Sequence, residues 1–153
     1  MKKFLTCFVA TQDDIGVFIA RIILSVVMLP HGAQKILGWF GGYGFHNTMA
    51  YFTSTGMPAV IAFLVIMAES LGALALLVGL FGRFMAFAIG LNMLGAILMV
   101  HLKIGFFMNW AGAQKGEGFE FHLLALALVL ILVIKGSGKF SLDRMLHKRL
   151  LKK

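Results

Sequence analysis

Four nearly uninterrupted apolar stretches, Ile15 to Leu37, Pro58 to Phe81, Phe84 to Leu102 and Phe119 to Ile134, constrain this chain more than any motif it carries. Apolar runs of about 18 residues or more read as membrane-spanning helices, because hydrocarbon offers backbone groups no partner and a helix pairs its own. The apolar residues are continuous rather than alternating, which excludes a closed β-barrel. A chain of 153 residues that is 60% hydrophobic and 13% charged has too little interior to hide that surface from water. The expected fold is therefore all-α: one domain over residues 1–153, a bundle of four transmembrane helices followed by a basic amphipathic tail helix. The fourth run, at about 24 Å of helical rise, is expected to start within the polar residues before it or to stand nearly upright. Pro58 suits a first helical turn, where its missing N–H costs nothing.

The net charge of +8 would suggest nucleic acid in a soluble protein, but the placement of the charge argues otherwise. Seven of the fourteen basic residues (Lys135, Lys139, Arg144, Lys148, Arg149, Lys152 and Lys153) follow the last apolar run, where cations meet anionic headgroups. No aromatic-interleaved basic face or zinc spacing accompanies them, so no nucleic-acid partner is expected. Lys and Arg near span ends resist translocation. With both termini inside, Lys2, Lys3, Arg83 and the seven tail residues lie on the cytoplasmic side, against Lys35, Lys103 and Lys115 outside. This predicts a multi-pass protein of the bacterial inner membrane with cytoplasmic termini. Arg21, at the inner end of the first span, is expected to touch headgroups or to pair with Asp13 or Asp14. The opening Met1 to Ala10 has a basic start and a short apolar run without a small-residue cleavage pattern, so it is expected to be retained.

The segments between spans differ in kind. Only Gly82 and Arg83 break the apolar run between the second and third spans, which predicts a tight antiparallel hairpin. The first outer loop, Gly38 to Met57, is rich in glycine and in aromatic residues that include Trp39, Phe40, Tyr43 and Tyr51; the second, Ile104 to Gly118, carries Phe106, Phe107 and Trp110. Such rings anchor at headgroup level, or form a lid over a pocket. Ser141 to Lys153 sets Leu142, Met145, Leu146 and Leu150 on one helical face amid basic residues. That is the pattern of a helix lying on the membrane surface, or of a basic tail that only fixes topology.

Ionisable groups at membrane depth are costly and tend to face partners or water-filled cavities. Glu69 and Asn92 fall near mid-membrane in the second and third spans. His31, Gln34 and Lys35 occupy the outer turns of the first, His101 the outer end of the third, and Glu120 and His122 the outer start of the fourth. Each span thus sends a polar group into the middle or outer half. His31 and Lys35, four apart, share a face. Gly72 and Ala73 beside Glu69, and Ala88, Gly95 and Ala96 beside Asn92, mark close helix contacts, so both side chains should point into the bundle. Each residue also has a structural reading: Glu69 paired with Lys35 or a histidine, Asn92 as a link between helices, His101 and Lys103 solvated at the interface. No HExxH, CxxCH or paired histidine spacing is present, so no metal site is expected. The single cysteine, Cys7, permits no disulfide or thiol pair.

The run Arg21 to Gly38 (RIILSVVMLPHGAQKILG), the glutamate among small residues in AESLGALALLVGLFGR (Ala68 to Arg83), His101 before an aromatic loop, and GFEFHLLALALVLIL (Gly118 to Leu132) together resemble the DoxX family. The likeness covers nearly all of residues 15 to 145, with diffuse motifs. It implies four transmembrane helices and a link to membrane redox chemistry, since the related DoxD proteins resemble subunits of thiosulfate:quinone oxidoreductases. His31, Gly32, Lys35, Glu69 and the GFEFH stretch match the family pattern, for which no agreed catalytic set exists.

The resulting expectation is a quinone-associated oxidoreductase or redox-complex subunit. In it His31, Lys35, Glu69 and His101 do the proton chemistry, while Gln34, Asn92, Glu120, His122, Trp39 and Trp110 line the quinone site. With no thiol pair, a quinone or a partner protein carries the electrons. The competing readings are a non-catalytic scaffold or assembly factor whose outer loops grip a partner, and a small transporter completed by a homo-oligomer.

Overall fold

A computed structural model describes Thr6 and residues 8–151; Lys2, Lys3, Cys7, Lys152 and Lys153 lie outside the described residues. Among the described residues the chain is all-helical, with no strand. Three helices are long and apolar enough to cross a membrane: α1 (Ile15–Leu37), α3 (Ala59–Val78) and α4, which runs from Gly82 to Met99 and continues through a 3-10 turn to Lys103. The fourth apolar run forms α5 (Glu120–Lys135), 16 residues long, and Leu142–Leu151 forms α6. The first long connection is not plain loop as expected. It holds α2 (Gly44–Ser54), whose Thr48 is buried and whose Phe45 meets Phe63 of α3 edge-on at 6.4 Å. Sequence periodicity gave little sign of it, because a short helix among exposed aromatic residues has only a weak apolar face.

α1 packs on α3 and α5, and α4 closes the ring against both. Each presents a buried stripe at helical spacing: Val17, Leu24 and Met28 on α1; Ala62, Ile66, Ala73 and Leu76 on α3; Ala86, Ile89 and Met93 on α4; Ala125, Val129 and Leu132 on α5. Glycine sets the closest approaches. A Cβ on Gly32 of α1 would stand 2.4 Å from the Glu69 carbonyl oxygen, and one on Gly90 of α4 would stand 2.8 Å from Val129 of α5. The helices leave two poles. Residues 38–58 and 104–119 form the loop pole; residues 9–14, 79–81 and 136–151 form the tail pole.

The tail pole is tied by side chains that satisfy helix ends. Arg21, expected at headgroups, is instead fully buried. Its guanidinium donates from Nε to Ser137 O (2.8 Å), from Nη1 to Leu76 O (3.0 Å) and Leu77 O, and from Nη2 to Lys139 O (3.3 Å) and Phe140 O (2.9 Å). Five donors in a rigid fork match five carbonyls of the end of α3 and the 136–141 turn, of which Leu76 O also accepts from Gly79 N (2.9 Å). Neither Asp13 nor Asp14 is its partner. Asp14 caps α1, accepting from Gly16 N (2.7 Å) and Val17 N (3.2 Å), and pairs with Lys135 at 3.1 Å; Asp13 pairs with Arg144. Buried Asp143 of α6 caps α4 by accepting from Phe81 N (2.7 Å) and Gly82 N (2.8 Å), with Ser137 Oγ at 2.5 Å. Arg83 closes α5 through the carbonyls of Val133 and Ile134.

Three outcomes follow from this packing. Arg21→Met, which keeps bulk but orphans the carbonyls, should lower stability by about 3 kcal/mol or more, with Arg21→Lys falling between it and the wild type; thermal unfolding in detergent reads both. Gly32→Val should separate α1 from α3 and cost about 1–3 kcal/mol by overpacking, whereas Gly95→Ala, where a Cβ meets open space, should be near neutral in the same assay. Lys135 and the amides of Val17 and Gly16 hold the Asp14 carboxyl below its ordinary 3.8. Its contribution is therefore complete above that value and lost as pH falls through the depressed one. Melting curves of the wild type and Asp14→Asn should converge over that acid range.

Candidate functional site

Toward the loop pole the core-facing stripes of α1, α4 and α5 turn from apolar to ionisable, and α3 sets one carboxylate within its apolar stripe. On α1 the line through Leu24 and Met28 continues to His31 and Lys35. On α3 Glu69 lies between Ile66 and Ala73, on α4 the line through Met93 and Ile97 continues to His101, and on α5 the stripe begins at His122. His31 is partly open to the surface. Seven residues on from the buried Leu24, it sits within about 20° of the same line, yet the residue is exposed.

The centre of the cluster is the ion pair between Lys35 Nζ and Glu69 Oε2, 2.5 Å apart. Helical side chains lean toward their own N-terminus. In antiparallel α1 and α3, Lys35 therefore leans down from the loop pole and Glu69 leans up toward it. Both backbones are irregular here. Ala68–Gly72 forms a π-helical turn, the widened geometry that recurs at functional sites, and Pro30 removes one ladder N–H from α1 just below His31. Gly32 rests on the backbone of Glu69 and Ser70, which brings the two irregular segments together. Val65 O and Ile66 O, entering the wide turn, accept from Asn92 Nδ2 (3.0 Å) and Ser70 Oγ (2.6 Å). The Glu69 oxygen that faces the ammonium is buried and receives no aligned hydrogen bond.

The histidines gather beside this pair. His31 lies within electrostatic reach of Glu69 and Lys35 and next to the Gln34 side chain; His122 lies within reach of both His101 and His31. The rings of His101 and His122 have centroids 4.1 Å apart. His101 Nδ1 bonds Glu117 O at 2.7 Å, and the buried His122 Nδ1 has no partner. Glu117 was not among the residues singled out, and nothing in its spacing marked it, because the contact uses its backbone.

Other expected site residues serve the frame. Gln34 donates to Phe40 O (3.2 Å), and Gly42 lies against the Gln34 backbone, which holds the first connection over the end of α1. Asn92 ties α4 to α3 through Val65. Glu120 Oε1 accepts from Met108 N (2.8 Å) and Trp110 Nε1 (3.1 Å), fixing the second connection. Trp39 and Trp110 do not cover the cluster: they are 59% and 87% exposed. Under Trp110 a groove of about 530 Å³ runs along the flank of α5, lined mainly by Phe106, Met108, Phe121, Leu123 and Leu124. No three His, Cys, Asp or Glu side chains among the described residues are grouped to hold a metal ion.

Comparison with known proteins bears on this arrangement. A family model described as DoxX matches residues 16–102, which include the Lys35–Glu69 pair, His31, Asn92 and His101. "Inner membrane protein YqjF" of Escherichia coli (strain K12) is 33% identical over 138 residues, covering 90% of this chain and 96% of that protein. "Putative oxidoreductase CatD" of Bacillus subtilis (strain 168) is 29% identical over 135 residues, covering 88% of this chain and 90% of that protein. No solved structure gives a significant match. Three apolar helices of spanning length and an inner-membrane relative aligned over nearly its whole length describe a multi-pass membrane protein, and by the match over residues 16–102 the chain belongs to the DoxX family.

Proposed function

We propose that the chain is a membrane oxidoreductase component whose loop-pole cluster binds a quinone headgroup. α1, α3, α4 and α5 form a single domain of four spans, with both termini in the cytoplasm. The observation that carries the reading is the buried ion pair of Lys35 and Glu69, with His31 within reach of it, His122 within reach of His31, and His101 against His122. Buried charges are retained where they have work to do, since apolar substitutes of similar volume are often no less stable. The name of the Bacillus subtilis relative as an oxidoreductase supports the same class of chemistry.

The residues suit such a ligand. A quinone and its quinol exchange two electrons and two protons, and their ring oxygens act as acceptors in one form and donors in the other. Lys35 Nζ offers a cationic donor, Glu69 Oε2 an acceptor with no aligned donor, and His122 Nδ1 a buried nitrogen with no partner. His31, exposed beside the pair, is within reach of an entering ring. Glu69 and the histidines accept or return protons, and Lys35 stabilises negative charge on a ring oxygen. The apolar groove on α5 suits the ligand's hydrocarbon tail. The single cysteine provides no thiol pair, so a partner protein supplies the electrons.

Orientation rests on the basic residues. α6 carries Arg144, Lys148 and Arg149, with Lys139 just before it, and lies against anionic headgroups. On the opposite side Lys103 and Lys115 remain, because Lys35 is turned inward to Glu69.

The test is mass spectrometry of lipids that co-purify with the full chain in mild detergent. Wild type should carry quinone. Glu69→Gln and His31→Ala should each retain about tenfold less, the equivalent of one charge-assisted hydrogen bond, while melting close to the wild type. A wild-type preparation without quinone, or variants that keep it, would refute the assignment.

A further inference from the structure

An ordinary ladder would close the wide turn of α3 by pairing Glu69 N with Val65 O, four residues back. That acceptor is full. Ala68 N donates to Val65 O as well as to Leu64 O, and Asn92 Nδ2 of α4 donates to Val65 O at 3.0 Å. A carbonyl oxygen has two lone pairs, so these two donors leave none for Glu69 N. The next carbonyl along, Ile66 O, accepts from Ser70 Oγ at 2.6 Å, a local bond that any helix can make. Of these donors only the Asn92 amide comes from outside α3.

The turn so held carries Glu69. Its backbone meets α1 so closely that a Cβ on Gly32 would stand 2.4 Å from Glu69 O and 2.6 Å from Ser70 Cα. The Glu69 carboxylate reaches Lys35 Nζ at 2.5 Å. Asn92 bonds the backbone four residues before Glu69, not the carboxylate itself. Returning Val65 O to the ladder would let the turn close by one residue and re-aim Glu69 about the helix axis, while Gly32 and Lys35 stay where α1 puts them.

We propose that Asn92 is a positioning residue: by filling Val65 O from the neighbouring helix, its amide holds the turn wide and keeps the Glu69 carboxylate aimed at Lys35. It acts through the backbone of α3 and not on a ligand. This rests on the cluster being the functional site, as argued above, but not on the ligand being a quinone.

The experiment treats the full chain in mild detergent, without added quinone, with dicyclohexylcarbodiimide, which enters hydrocarbon and couples a carboxylate to an amine in contact with it. An amide forms between the Glu69 carboxyl carbon and Lys35 Nζ, the carbodiimide takes up the elements of water, and mass spectrometry of the digest measures the linked peptides. The ion pair of Asp14 and Lys135 at the tail pole, 3.1 Å apart, is read in the same digest. Both links should form in the wild type. Asn92→Leu, which keeps bulk without a donor, should lower the Lys35–Glu69 link about tenfold, the weight of one buried hydrogen bond, and leave the Asp14–Lys135 link at its wild-type yield. Asn92→Ala should do the same, so a misfit of the leucine does not decide the result. An unchanged Lys35–Glu69 link in both variants, an equal fall of both links, or a wild type that links only Asp14 to Lys135 would overturn the proposal. The quinone assignment is judged on co-purified lipid and stands or falls apart from these links.

Discussion

The fold depends on one buried guanidinium. A helix that ends at the edge of hydrocarbon leaves carbonyls that neither lipid nor its own ladder can satisfy. Arg21 donates to two carbonyls at the end of α3, one of them shared with Gly79 N, and to three in the 136–141 turn. The same pole contains the Asp14 cap at the start of α1, the Asp143 cap at the start of α4 and the Arg83 contacts at the end of α5. Every long helix thus has one end tied at the tail pole. Phe81, with a left-handed φ of 51°, is held there by its N–H bond to Asp143, which lets three residues turn α3 into α4.

That concentration of partners at one end lets the other be built differently. The loop pole is held by contacts within and beside its connections, such as Gln34 with Phe40, Glu120 with Met108 and Trp110, and His101 with Glu117. Its rings are exposed, as amphipathic anchors at headgroup level are. The ion pair of Lys35 and Glu69 sits at the boundary between the two regimes.

The long helices were legible because hydropathy and span length are properties of the chain alone; α1 falls on the expected residues and α3 to α5 shift by only a few at their ends. The pairing of Lys35 with Glu69 was one of two open readings, since spacing gives depth and face but not the partner. Arg21 was misread for that reason. Its position at the inner end of a span fits a headgroup contact as well as a buried clasp, and the deciding carbonyls lie more than fifty residues away in sequence. α2 escaped because its apolar face is narrow; an approach of His101 to His122 was open from their positions at the outer ends of two spans, though no periodicity fixes the turn that joins them. Trp39 and Trp110 are exposed at the loop pole, and Trp110 lines the groove along α5.

The wide turn at Ala68–Gly72 holds one residue more than the ordinary ladder accommodates. Ala62 and Ile66 before it, and Ala73 and Leu76 after it, still face the core, so the surplus is absorbed locally instead of rotating half the helix. A version of α3 one residue shorter would keep its greasy side, its length and its neighbours, yet lose the widened girth that seats Glu69 against Gly32 and Lys35. Within this architecture, a bundle that holds an ion pair in its core and one that does not are separated by the insertion or deletion of a single codon.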